Sequence, residues 1–344
     1  MSYMDLIEAV DNVPLDFDFT LLYKLLLPND HRAHGFMLPE VVAQIPWPEA
    51  DFIISHNIKT VQVKPPLLPP NSTSPSSSSF SGTSEGLSFH CTKVFDRLIE
   101  AMMSRDLFPK LLNRTRSEPF LVMGSAFPGT HIQRFPAPLF GIASRGAHMT
   151  VYVKDSEPSP GETCSTESTP LARGGIKIWV ATRSPNLWTY PGKLDTSVAG
   201  GVKATDAPAD CITAEAYEEA GLDPARVRRD AVAKGCITYV TRGRSYGTVT
   251  PTALYVFDME VSPEVSLQPV DKEVEKFELM TVEEIKIAMF SGLFKPNCNL
   301  VMLDFFIRHG LLVEAEIQEN GGIKYLSERL RRKLPVPLEP EEGL

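Results

Sequence analysis

Residues 200–222, GGVKATDAPADCITAEAYEEAGL, constrain what this 344-residue chain can fold into more than any other stretch. A glycine pair opens a turn, and a helix follows in which Glu215, Glu218 and Glu219 stand three and four residues apart, on one face. Asp206 is the expected N-cap, Pro208 lies in the first turn, and Gly221 supplies the C-terminal stop. Ile212, Ala216 and Ala220 form a neighbouring stripe whose small side chains let the helix sit close against a sheet, with the acids facing a cleft. Three glutamates on a helix are by themselves more often a solvated face than a site, but the glycine turn at its fixed distance reverses that weighting. Like charges this close call for a counter-cation. Carboxylate oxygens suit hard cations, and Mg²⁺ in particular is held by a few carboxylates together with substrate phosphates, so the pattern points to a diphosphate substrate.

Around this segment the chain reads as strands mixed with a few helices. AHMTVYV (147–153) and IKIWVAT (176–182) look like hairpin partners, and CITYVT (236–241) and PTALYVFDM (251–259) are further strands. TVEEIKIAMF (281–290) and NLVMLDFFIRHG (299–310) are closing helices, the second ending at Gly310 with Arg308 and His309 in its last turn. The mixture predicts an α/β fold. Two Ser/Pro/Thr-rich stretches, 65–86 and 155–175, hold too few large apolar groups to offset their ordering entropy. The second reads as an insertion in the hairpin loop. The first separates a helical Phe19–Leu27 from a helix marked by Val94, Leu98, Ile99 and Met102. The basic run Arg329, Arg331, Arg332 and Lys333 reads as a solvated helix end.

Composition narrows the partners. Apolar residues make up 43% of the chain, enough for a packed core, while 34 basic against 43 acidic residues give a net charge of −9, the wrong sign for gripping nucleic acid. No stretch approaches the roughly 20 apolar residues of a membrane helix, so no membrane partner is expected. The first residues, MSYMDLIEAVDNVPLDFDFT, lack the basic or Arg-rich pattern of a targeting peptide. Cys91, Cys164, Cys211, Cys236 and Cys298 are scattered and contain no CxxC pair, which indicates neither a disulfide framework nor a zinc site. The expected setting is reducing and cytoplasmic, and the triplets at Asn71 and Asn113 that match a glycosylation acceptor are read as chance.

The acidic segment resembles the Nudix hydrolase signature, with Gly200, Glu215, Ala216, Glu218, Glu219, Gly221 and Leu222 in register. Asp206 stands where that pattern has Glu, and Ala214 where it has Arg. The resemblance extends to one branch of Nudix proteins, related to the N-terminal part of fungal thiamine pyrophosphokinases and with plant homologues. It is carried by RFPAPLFGIASRGAHMTVYV (134–153), IWVATRSPNLWTYPGKLDTSVAGGV (178–202), DKEVEKFELM (271–280) and FKPNCNLVMLDFFIRHG (294–310). Lys193, Thr196 and Lys272 depart from that branch's pattern, at positions where Met, Asn and Gly are expected. DHRAHGFMLPEVV (30–42) is similar to the helper domain preceding the Nudix fold in this branch.

The resemblance implies a Nudix α/β/α sandwich with a mixed sheet over 141–312, a smaller α+β accessory domain over 1–140, and a C-terminal tail over 313–344, too short for a pyrophosphokinase domain. It implies Glu215, Glu218 and Glu219 as ligands of Mg²⁺ or Mn²⁺, with Glu218, Glu219 and Glu273 as the catalytic acids and Glu275 as second choice to Glu273. Arg183 is the candidate for holding the small-molecule substrate's diphosphate, since a guanidinium matches phosphate bidentately, with a pairing to a box carboxylate weighed equally; Arg134 matches the branch's typical residue and is counted with Arg183 as a binding residue. His148 is expected to be structural, and Trp179, Trp188 and Tyr190 are candidates to stack on a heteroaromatic ring, with a core role weighed ahead of it. The implied activity is removal of one phosphate from damaged thiamine diphosphate-like coenzyme, leaving the monophosphate. An 8-oxo-dGDP phosphatase and a catalytically weak binding module are the alternatives.

Overall fold

The computed structural model describes residues 1–66, 83–112, 118–154 and 175–338. Most of the stretch 65–86, nearly all of 155–175, Cys164 and the two glycosylation triplets lie outside them.

In the N-terminal region, β1 (Tyr23–Leu26) lies between β2 (Gly35–Met37), to which it is antiparallel, and β4 (Thr60–Val63), to which it is parallel, with β3 (Phe52–Ser55) on the outer edge of β4. The expected helix over Phe19–Leu27 is therefore corrected: Asp18 caps a single 3₁₀ turn at Phe19–Leu21, and the residues after it alternate buried and exposed as strand β1. The pairing partners at 35–37 and 60–63 override the helical look of a Leu-rich run. Helix Ser84–Met103 packs on this sheet through Val94, Phe95, Leu98, Ile99 and Met102. It begins two residues before the expected end of the loop, with Thr83 as N-cap. Backbones touch where β2 meets the turn before the larger sheet: a Cβ on Gly35 would lie 2.2 Å from the carbonyl oxygen of Phe140, and one on Gly141, at φ +62°, would meet Phe36. Only glycine fits either position.

The second sheet has the order β11 (Val232–Arg242), β12 (Val249–Glu260), β7 (Ser144–Lys154), β8 (Ile176–Arg183), β13 (Val274–Thr281). It is mixed: β12 and β7 run parallel, while β7–β8, β8–β13 and β11–β12 are antiparallel. Short strands β9 (Leu194–Asp195) and β10 (Val198–Gly201) attach to β8 and β7, and β5 (Pro119–Leu121) pairs with β6 (His131–Gln133) as a separate ribbon. Period-two alternation sends Ala147, Met149, Val151 and Val153 of β7 to one face, where they meet helix Pro208–Ala220. Tyr152 of β7, with Ile178, Val180, Leu254 and Val256, faces the opposite layer of helices Val282–Phe290 and Pro296–Arg308. Helices on both faces of a mixed sheet make the α/β/α sandwich.

Both chain ends differ from expectation. Helix Tyr3–Glu8 packs with helix Pro296–Arg308 in the second core rather than with the N-terminal sheet. The basic run is only half solvated: Arg331 and Lys333 are exposed, whereas Arg329 and Arg332 are buried and both bond Asp11, whose Oδ1 lies 2.7 Å from Nη1 of Arg332. Asp11 also accepts from the Val240 amide, which welds residues near both termini to β11. A buried carboxylate draws guanidiniums inward because neither charge is stable there alone. Among the described residues no helix is long and apolar enough to cross a membrane.

Candidate active site

Strand β10 and helix Pro208–Ala220 meet at Gly200. A Cβ there would lie 2.2 Å from Oε1 of Glu215, so glycine is what lets the acidic helix approach. One residue earlier, the Ala199 amide donates to Oε2 of Glu219 at 3.0 Å. The helix starts with Pro208 and ends at Gly221 in the left-handed region, as expected, but its N-cap is Ala207 and makes no side-chain bond. Asp206 instead accepts from the hydroxyl of Thr205.

The three helix carboxylates form a gradient of burial. Glu219 is only 7% exposed and shares the inner face with Ile212, Ala216 and Ala220; Glu215 is intermediate and Glu218 is exposed. Burial, with the charges of Glu218, Glu273 and Glu118, pushes the Glu215 carboxyl up to about 7, eased only by Lys203. Burial also lifts Glu219 well above the usual carboxylate range, with Glu215, Asp195 and Asp271 adding to it against the single Ala199 amide. Both acids resist charge because too little positive charge is near them. This donor set of crowded carboxylates fits a hard divalent cation.

Glu273 lines one cleft with Glu219, Ala199, Thr196, Asp195 and Arg183. Its backbone is fixed by Asp271, which accepts its amide proton, and by Ser184, which donates to its carbonyl. Glu275 lies in the bulge where β13 slips against β8, exposed and away from that cleft. Of these two acids, the structure brings Glu273 to the glutamates of the helix.

Arg183 lines the same cleft, and its carboxylate partner is not a helix glutamate. Its Nη1 bonds Oδ2 of Asp195 at 2.8 Å, and Nε and Nη2 donate to the carbonyl of Thr189. Its fork thereby holds the β8–β9 loop. Arg134 is half-exposed, stands over the ring of Phe120 and pairs with Glu118 at 3.2 Å. It lies beside Gly201, whose Cβ would be 3.2 Å from Nη1.

Sequence reasoning missed the carboxylate at the cleft floor. Asp195 is buried, accepts from Lys295 Nζ at 3.2 Å, from the Cys298 thiol at 2.7 Å and from the Thr196 amide. Burial would raise its carboxyl, but Lys295, the Cys298 thiol and Arg183 outweigh that and hold it far below the usual range. His148 bonds the Thr196 hydroxyl at 2.9 Å and is pushed down to about 3 by burial and by Lys295, so it is a neutral structural ring. Donor atoms of His148, Asp195 and Cys298 lie within 4.8 Å of one another. Lys295 and Arg183 already neutralise Asp195, so a cation there would meet two like charges. No spacing rule marks Asp195 or Lys295, which are adjacent only through the tertiary fold. Glu118 and Lys203 were also missed; they pair at 3.8 Å beside the helix.

Trp179 packs in the core beneath the acidic helix, while Trp188 and Tyr190 are exposed on the β8–β9 loop.

A family model described as "NUDIX domain" matches residues 170–297. An uncharacterized protein of Saccharomyces cerevisiae is 26% identical, covering 98% of this chain and 92% of its own length. Nudix hydrolase 20, chloroplastic, of Arabidopsis thaliana is 32% identical over 59% of this chain and 48% of that protein. Nudix hydrolase 24, chloroplastic, of the same plant is 32% identical over 70% of this chain and 59% of that protein. The chain thus spans between about half and three-fifths of the length of the two plant relatives.

Proposed function

We propose that this chain, whose residues 170–297 match a NUDIX-domain model and which is 32% identical to two plant Nudix hydrolases over part of their length, is a divalent-cation-dependent diphosphate hydrolase that converts damaged, thiamine diphosphate-like coenzyme to its monophosphate. The observation that carries the reading is that Glu219 and Glu273 line one cleft, with Glu215 on the same helix as Glu219 and close enough to feel the charges of Glu218 and Glu273. Support for the thiamine-like substrate comes from the resemblance over residues 134–310 to the thiamine-related branch.

Glu215, Glu218 and Glu219 are the side chains that would hold Mg²⁺ or Mn²⁺. The bound cation would supply charge stabilisation for the phosphoryl oxygens as the diphosphate bond breaks. Glu273 is an exposed residue of the cleft lining, and in this reading its carboxylate takes the proton of the attacking water. Arg183 acts through the loop: by clamping Asp195 and Thr189 it fixes the strand turn from which the Ala199 amide orients Glu219. Attack on phosphorus leaves a monophosphate and a free phosphate.

The test is phosphate release by the purified full chain with Mg²⁺ against thiamine diphosphate, its oxo and oxy analogues, 8-oxo-dGDP, ADP-ribose and dinucleotides. Preference for the thiamine analogues supports the reading. Preference for 8-oxo-dGDP replaces it with nucleotide clean-up, and silence with metal still bound replaces it with a binding module. We place the protein in the cytoplasm, supported by the unpaired thiols of Cys91, Cys211 and Cys298; a plastid signal in imaging, as the plant relatives' names carry, would overturn that.

A further inference from the structure

The ribbon formed by β5 and β6 comes from the N-terminal region yet reaches the edge of the acidic helix. Its backbone is tied at Glu118 and at the residue after it: the Arg134 amide donates to the Glu118 carbonyl at 2.9 Å, and the Ala204 amide donates to the Pro119 carbonyl at 2.8 Å. The Glu118 carboxylate bonds Arg134 through Oε2 and lies 3.8 Å from Lys203 Nζ through Oε1. All three side chains are between 40% and 47% exposed. Gly201 forms the floor: a Cβ there would lie 3.2 Å from Arg134 Nη1 and 3.6 Å from Glu118 Oε2. The adjacent Gly200 is the floor under Glu215.

We infer that Arg134 and Lys203 form a seat for one phosphoryl group of a diphosphate, and that Glu118 fills the seat in its absence. This rests on the hydrolase reading and deepens it, since it names which part of the site takes the anion and makes the N-terminal region a partner in substrate binding. A carboxylate presents two oxygens to a guanidinium and an ammonium much as a phosphoryl edge does, with less charge. Glu118 is poorly suited to stay there for its own sake. Its negative charge adds to the crowding at Glu215, whereas a diphosphate arriving with a divalent cation brings its own counter-charge. Exposed pairs of this kind hold weakly, so exchange for a doubly charged anion is easy. Because the ribbon is pinned through its backbone, Arg134 stays in place when the Glu118 side chain swings away.

The experiment is calorimetric titration of the full chain with inorganic pyrophosphate in metal-free buffer, which does not depend on turnover. Glu118→Gln, which keeps the shape and removes the charge, is expected to tighten binding about threefold to tenfold, the release of two exposed pairs. Arg134→Gln and Lys203→Gln are each expected to weaken it, and Arg134→Gln to cancel the gain from Glu118→Gln. Melting curves of each variant separate a binding effect from unfolding. If Glu118→Gln binds pyrophosphate no better than the parent while melting normally, the inference is overturned. Turnover of the panel above is read on the unaltered chain, so failure of the hydrolase reading and failure of the seat show in different measurements. With any substrate that is turned over, Arg134→Gln should raise KM more than it lowers kcat, which a role in packing alone would not produce.

Discussion

Two buried carboxylates line the same cleft and behave oppositely. Asp195 is surrounded by Lys295, Arg183, the Cys298 thiol and an amide, and stays charged well below the usual range. Glu219 has one amide donor and other acids around it, and is pushed well above that range. Burial alone would raise both, so the difference lies in the counter-charge each has been given. Asp195 is a finished structural unit, complete within the chain. Glu219, with Glu215 and Glu218, lacks such counter-charge within the chain, and in the proposed reading a bound cation supplies it.

The largest test of this contrast is Glu219→Gln. The amide oxygen of Gln still accepts from Ala199, so the backbone contact survives while the charge is lost. Phosphate release should fall about a thousandfold, near 4 kcal/mol of barrier, and metal-free unfolding should be unchanged or shifted to higher urea because a repulsion has gone. A variant that hydrolyses as well as the parent would remove Glu219 from the cation site. Asp195→Asn should do the reverse to stability. It strands Lys295 and Arg183 beside a neutral amide and should cost about 3 kcal/mol in urea unfolding, whether or not Mg²⁺ is present. An equal loss in Glu219→Gln would erase the distinction.

Next in size is the linkage to metal. A chain whose acids wait for a cation is stabilised by it, by about 2.7 kcal/mol at a hundred times the dissociation constant. Melting temperature should rise with Mg²⁺ or Mn²⁺ in the parent and in a variant that leaves the helix acids intact. It should not rise in the double variant Glu218→Gln plus Glu219→Gln, and a full rise there would refute the ligand assignment.

The sequence made the unfinished site legible and left the finished one hidden. Glu215, Glu218 and Glu219 share one helix, and local spacing with a glycine turn is enough to place them together. The strands at 147–153, 176–182, 236–241 and 251–259 were legible for the same reason, through alternation within a single segment. Asp195, Lys295 and Cys298 come from β9 and the start of a distant helix, and nothing local marks a carboxylate that another part of the chain will neutralise. Arg183 was placed beside the site correctly in sequence terms, but its partner could be known only once Asp195 was seen. The same limit applies to Asp11 with Arg329 and Arg332, where long-range pairing buries two members of an apparently solvated basic run while Arg331 and Lys333 stay exposed. Phe19–Leu27 failed in the other direction, because strand partners outside the segment decided its conformation.

The smallest effect probes the finished site through pH. His148 is buried beside Thr196 and close to Lys295, and its ring is held neutral down to about 3, against an ordinary value of 6.5. Its folded value is depressed, so the unfolded chain takes up a proton first as pH falls below about 6.5. The stability that comes from keeping the ring neutral is full above that point and is lost on acidification, at no more than about 1.4 kcal/mol per pH unit. Between pH 7 and pH 5 the loss from this one group should be about 2 kcal/mol, read as a shift in the urea midpoint without a change in slope. His148→Gln, which keeps a partner for the Thr196 hydroxyl and cannot titrate, should flatten that part of the profile. An unchanged acid limb in the variant would mean that another group sets it, and that the ring is not held neutral by its burial and by Lys295.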